Sequence, residues 1–223
     1  RRVSDNIAHD LKTPLSRLRQ RLEALSRRYA EDSTHRADLE AALLEADHLL
    51  DTFNALLKIA RIESGPRQAN LKPVNLIKLA ADVVELYEPL AEEKRQQLIF
   101  HRHHASNVIA DRDMLFQAFA NLLDNAIKYT PVGGIISVHC SSNDVSAELA
   151  VTDSGPGIPA GQREKVFQRF YRMDKSRSTT GSGLGLSLVQ AVARLHGATV
   201  TLTDQAPGLT VRFVLPRFEH EPL

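Results

Sequence analysis

Residues 1–64 carry two apolar seams with helical spacing. Ile7, Leu11, Leu15, Leu18, Leu22 and Leu25 recur every three or four positions. Leu39, Leu43, Ala46, Leu50, Phe53, Leu57 and Ala60 then alternate four and three without a break. Seams of this kind pack helices side by side. The polar stretch RRYAEDST between them supplies a turn, and Ser33 or Thr34 stands where it can cap the second helix. Two helices alone cover little apolar surface. Pairing with a second copy, as a four-helix bundle, is therefore the expected arrangement.

The pattern changes at a run of breakers. None of the 11 glycines precedes Gly65, and of the 10 prolines only Pro14 precedes Pro66. This sets a helical domain over 1–64, a linker over 65–70 and a second domain over 71–218. In the second domain, VNLIKLAADVVELYEPLAEEKRQ contains a helix, and QLIFHRH and NVIAD read as strands. RDMLFQAFANLLDNAIKYT is a strong helix, with Leu115, Ala118, Phe119, Leu122 and Ala126 along one stripe. GIISVHCSS and AELAVTDSG follow as strands, then a short helix in GQREKVFQRF and a polar loop over 172–182. The chain closes with the helix GLSLVQAVARLHG and the strands ATVTLTD and LTVRFVLP. Strands interleaved with helices predict a mixed sheet covered on one face by helices.

Composition narrows the classes. The chain has 223 residues, 43% hydrophobic and 5% aromatic, with a net charge of +1. That balance gives no electrostatic reason for a nucleic-acid partner. The single cysteine, Cys140, excludes an internal disulfide, and its strand setting reads as a packed residue. No apolar run approaches the ~20 residues that cross a bilayer. The sequence opens on Arg1 rather than Met, inside an apolar-periodic segment, and reads as an excised cytoplasmic fragment.

Candidate chemistry lies in both domains. In HDLKTP, with Ile7 at zero on a wheel of ~100° per residue, His9 falls near 200° and Thr13 near 240°, opposite the seam. His9 is thus expected at the surface, with Asp10 beside it to accept from Nδ1–H and leave Nε2 free as a nucleophile. Pro14 removes an N–H from the carbonyl of Asp10 and predicts a bend there. His35 and His48 lack such company, and His101, His103 and His104 alternate across a strand without matching metal-ligand spacing.

Downstream, Asn121, Asn125 and Lys128 share one helix face, an arrangement suited to Mg²⁺ and phosphate. Asp153 ends a strand before Gly155 and Gly157, where a carboxylate can accept from an exocyclic amino group such as that of adenine. Gly181, Gly183 and Gly185 open the last long helix as an anion cradle. The spacing matches neither a P-loop nor a dinucleotide fingerprint. Arg172, Lys175 and Arg177 flank that cradle on a loop with the makings of a lid.

HDLKTP, NLLDNAIKYT, DSGPGIP, FQRFYR and GSGLGLS together resemble the H, N, G1, F and G2 boxes of bacterial two-component sensor histidine kinases, in that family's order. The resemblance covers essentially the whole chain. It implies a dimeric histidine-phosphotransfer hairpin followed by a GHKL-type α/β sandwich that binds ATP and Mg²⁺. By motif position it makes His9 the phosphoacceptor, Asp10 the neighbouring acid–base residue and Thr13 the residue linked to dephosphorylating the partner. It implies that Asn125 holds Mg²⁺ with support from Asn121, and that Lys128 contacts phosphate. Tyr129 packs near adenine, Asp153 reads its amino group, and Arg169 and Arg172 lie near the phosphates. The implied partners are a second copy through the hairpin and a response-regulator receiver domain, and the implied parent protein is anchored in the bacterial inner membrane. Related ATPases of the gyrase and MutL type carry a water-activating glutamate where this chain has Asn121, and an amide is no general base.

Overall fold

A computed structural model describes residues 2–28, 33–63, 70–102, 107–173 and 181–217, with hairpin side chains described over 13–27 and 35–63. Helix α1 spans Arg2–Arg28 and runs as one helix through Pro14; α2 spans Ser33–Glu63. The four residues between them are too few to span a helix length, so the pair is antiparallel. An ion pair between Arg19 and Asp47 marks the register, supported by Arg19–Glu23 at 3.0 Å. Most of the second seam is half-buried and Ala46 fully so, whereas Leu18 and Leu25 of the first remain 47% and 42% exposed in the single chain. Ala60, read as the last seam position, is exposed; Ile59 and Ile62 are buried instead and join the core of the second domain. The apolar face of α2 thus turns toward that domain over its last turns.

The second domain contains β1 (Lys72–Asn75), α3 (Leu76–Glu93), β2 (Gln97–Arg102), β3 (Asn107–Ala110), α4 (Arg112–Tyr129), β4 (Ile135–Ser142), β5 (Ser146–Asp153), α5 (Gly185–Leu195), β6 (Thr199–Asp204) and β7 (Leu209–Pro216). Five strands form one sheet in the order β2-β4-β5-β7-β6, with β2 and β4 parallel and the other pairs antiparallel. The strand read in NVIAD lies outside it. It pairs antiparallel with β1, a strand the sequence pattern did not suggest.

Alternation sends one side chain in two inward. Val138, Cys140, Leu149, Val151, Val211 and Phe213 meet the buried stripe of α4, where the Phe119 and Phe213 rings stand edge to face at 5.5 Å. Burial pushes the Cys140 thiol up to about 12, which leaves it protonated at neutral pH. On the other face, His101 stacks on its register partner His139 at 4.3 Å. Among the described residues no group of three or more metal-ligating side chains forms, and no helix is long and apolar enough to cross a membrane. His103 and His104 lie outside the described residues.

GQREKVFQRF forms its expected short helix in 3₁₀ rather than α geometry. It makes two 3₁₀ turns, Ala160–Gln162 and Lys165–Phe167, closed by i→i+3 bonds such as Gln162 N–H to Pro159 O at 2.8 Å. Only Val166 is buried there, too little apolar anchorage to propagate a helix from so short a segment.

The ends of the helices are tied across the domain. Asn75 caps α3 by accepting from Lys78 N–H, and Asp111 caps α4 by accepting from Asp113 and Met114 N–H. Gln96 Nε2 donates to the carbonyls of Ile127 and Thr130 at the other end of α4. His196 links α5 to that cap: its Nε2 accepts from Asp111 N–H at 2.9 Å, which requires Nδ1 to carry the proton toward Val192 O at 2.8 Å.

Burial lowers the pKa of His196, because a charged ring would be desolvated and Nε2 could no longer accept. The unfolded chain therefore takes up this proton first on acidification. The contribution of His196 is complete above the ordinary value near 6.5 and is lost as pH falls through it toward the lower folded value. Thermal melts from pH 8 to pH 5 should show this loss in the wild type. His196→Gln should melt lower at pH 7.5 and lack that acid-side component, and an unchanged acid-side slope in the variant would contradict the assignment.

Candidate nucleotide site

A cavity of about 230 Å³ opens between α4, the end of β5 and the start of α5. Helical spacing brings Asn121, Asn125 and Lys128 to its wall, with Tyr129 beside them. Asn121 Nδ2 donates back to Gln117 O at 2.8 Å, which leaves its amide oxygen for the cavity. A Cβ on Gly185 would stand 3.1 Å from that oxygen and 3.6 Å from the Asn125 amide. The bare backbone of Gly185 therefore lets α5 begin directly against the asparagine pair. No side chain caps α5 at Leu184, and Ser187 Oγ turns back to Leu184 O. The first-turn N–H groups of α5 are left to bind an anion.

Lys128 Nζ lies against Gly181, where a Cβ would collide with it, and 5.4 Å from the Tyr129 ring centroid. Arg172 Nη1 donates to Gly181 O at 2.9 Å, and Phe170 N–H donates to Gly183 O at 3.0 Å. Gly183 has φ +70°, and a Cβ there would sit 2.9 Å from the Phe170 backbone. Only glycine meets both conditions without strain. The segments 170–172 and 181–183 are thereby pinned to each other at this end of the cavity.

At the other end Asp153 closes β5, half-buried, with Oδ1 accepting from Gly155 N–H at 2.8 Å. Burial raises its carboxyl pKa, and the N–H groups of Gly155 and Leu209 partly offset that by favouring the carboxylate. Gly157 lines the cavity; Gly155 stands behind Asp153. Val151, Ile158, Leu209 and Val211 form an apolar wall beside the carboxylate, suited to a flat base.

The sequence positions do not all converge. Arg169 is absent from the cavity wall, and its guanidinium pairs with Glu63 at the end of α2. His9 and Asp10 lie on α1, but their side chains are outside the described residues, as are Lys175 and Arg177; Thr13 is half-buried. Two contributions escaped the sequence reading. Leu209 and Val211 come from β7, which reaches the cavity only through its pairing with β5. Asp124 also lines the cavity, and burial in the cleft raises its carboxyl pKa against the opposing pull of Lys128 and Lys94. Its place between Asn121 and Asn125 was the available signal.

Residues 1–65 match the family described as "His Kinase A (phospho-acceptor) domain", and residues 110–219 the family described as "Histidine kinase-, DNA gyrase B-, and HSP90-like ATPase". Sensor-like histidine kinase SenX3 of Mycobacterium tuberculosis is 34% identical over 94% of this chain and 52% of its own length. Sensor histidine kinase WalK of Bacillus subtilis is 31% identical over 97% of this chain and 36% of its own. The chain thus spans about half the length, or less, of these curated relatives. Among solved structures, full-length ShkA in complex with AMPPNP superposes with a TM-score of 0.81 at 26% identity, over 100% of this chain and 47% of that one. The mycobacterial sensor histidine kinase MprB is 33% identical, with a TM-score of 0.58, over 67% of this chain and 99% of that one.

Proposed function

The chain belongs to the two-component sensor histidine kinases, carrying the catalytic core of that family, and from that premise we propose that it phosphorylates its own His9 from ATP. The observation that carries this reading is the convergence of Asn121, Asn125, Lys128, Asp153 and the uncapped start of α5 on one cavity. Adenine stacks against the β5–β7 wall with its amino group donating to Asp153. The phosphates run toward the N–H groups of α5, and Lys128 offsets their charge.

The two asparagine side chains fit Mg²⁺, because the Asn121 amide nitrogen is held by Gln117 and its oxygen is left as a hard ligand. Bound there, held by Asn125 with support from Asn121, the ion would offset the charge of the phosphate chain. Asp10 accepts from Nδ1–H of His9, and Nε2 attacks the γ-phosphorus in line. The Nε2–P bond forms as the bond to the β,γ-bridging oxygen breaks, and ADP leaves. With asparagine at position 121 no side chain there activates water, so the phosphoryl group is kept for His9.

The phosphohistidine then passes its phosphoryl group to an aspartate of a response-regulator receiver domain, with Thr13 serving the reverse, dephosphorylating reaction. Exposed Arg17 and Arg21 lie on the hairpin surface open to that partner. The exposure of Leu18 and Leu25 supports a homodimer through the hairpin. Membrane anchoring belongs to the parent protein.

Incubation of the chain with γ-labelled ATP and Mg²⁺ tests the reading. The expected product is a protein-bound label, stable in base and lost in acid, formed stoichiometrically with ADP. Steady release of inorganic phosphate with no bound label would replace the kinase by an ATPase.

A further inference from the structure

Among the described residues, the phosphate end of the nucleotide cavity continues into space bounded by the hairpin. Asn121, Asp124, Gly181 and Gly185 also line a second cavity, of about 660 Å³, whose far wall is α2. That wall is one helix face, distinct from the seam that packs on α1. His48, Asp51, Ala55 and Lys58 follow one another at spacings of three and four. One turn further on, Ile59 and Ile62 are buried in the core of the second domain, and Glu63 pairs with Arg169. The position of Lys58 relative to Gly185 is therefore set by packed side chains on both sides.

We infer that Lys58, on the hairpin, is a specificity-determining residue of the nucleotide site, holding the terminal phosphate of a nucleoside triphosphate from across this cavity. The inference rests on the nucleotide reading above. With the base at Asp153 and the inner phosphates at α5 and Lys128, what projects past Asn121 is the end of the phosphate chain. A diphosphate, one phosphoryl group shorter, stops short of Lys58 on the far wall.

Among the described residues Lys58 is the only lysine or arginine lining that cavity, and it is exposed. Asp51 stands two turns away on the same face and Asp124 across the space, so the Lys58 end is where an anion is received. A hairpin docked in this way recognises the nucleotide that still carries its transferable group. Loss of that group releases the contact.

The test is calorimetric titration of the full chain, in Mg²⁺, with a non-hydrolysable triphosphate analogue and with ADP. Lys58→Met is expected to weaken the analogue by ~2–5-fold, the range of one exposed charge contact, and to leave ADP unchanged. Lys58→Arg should keep the wild-type preference. Arg36→Gln removes the same charge about 33 Å away along α2 and should change neither nucleotide. Equal weakening of both nucleotides by Lys58→Met, or no weakening, overturns the inference while leaving the nucleotide site in place. Failure of the wild type to bind either nucleotide overturns both.

Discussion

In the His9→Gln chain, incorporation of acid-labile phosphate is expected to vanish, a fall of at least ~10³-fold, while nucleotide affinity stays at its wild-type value. Glutamine keeps a polar side chain of similar reach but offers no ring nitrogen lone pair to phosphorus. The hairpin register explains why this position matters. Arg19 pairs with Asp47, and ten residues of antiparallel helix, about 15 Å, bring position 9 of α1 level with position 57 of α2. The stretch of α2 from His48 to Lys58 lines the cavity that continues from the asparagines and Gly185. The proposed acceptor and the proposed donor site therefore occupy the same level of the molecule. Labelling of both chains beside an equilibrium binding curve checks this. Label retained in His9→Gln would mean another acceptor, and joint loss of label and binding would mean that His9 acts through structure.

Asp153→Ala is expected to weaken nucleotide binding by roughly two to three orders of magnitude, chiefly at the base. The carboxylate anchors two backbone N–H groups, those of Gly155 and Leu209, and presents its remaining lone pairs to the cavity. Alanine removes the acceptor and leaves those N–H groups unpaired in a half-buried floor. A charged hydrogen bond and an unsatisfied donor each count for about 1–3 kcal/mol. Asp153→Asn keeps an oxygen for Gly155 but places an NH₂ group where the adenine amino group would donate, so an intermediate loss is expected. Thermal melts of the three chains separate this from unfolding. A variant that melts like the wild type and still binds ATP normally would remove Asp153 from recognition.

Much of the site could be read in advance because its residues lie close together along single elements. Asn121, Asn125 and Lys128 share a face through the 3.6-residue period of α4, and the buried stripe of Leu115, Ala118, Phe119, Leu122 and Ala126 runs along the face next to it. The short helix expected in GQREKVFQRF takes 3₁₀ geometry, because a single turn is within reach of either bond pattern and its one buried residue, Val166, does not choose. Arg169 sits inside a motif yet turns to Glu63, since its direction depends on where α2 docks.

Local periodicity and backbone chemistry were enough to define the helices, the polar face of α4 and the glycines against which phosphates can lie. Those signals act within about ten residues and survive without knowledge of the rest of the chain. Strand order and helix docking set everything that joins distant segments: β7 beside β5 to wall the base, His196 beneath the Asp111 cap, and Lys58 across from Gly185. Such contacts arise only when burial of a shared core brings those segments together, because no short-range preference encodes which neighbour a strand or helix face will meet.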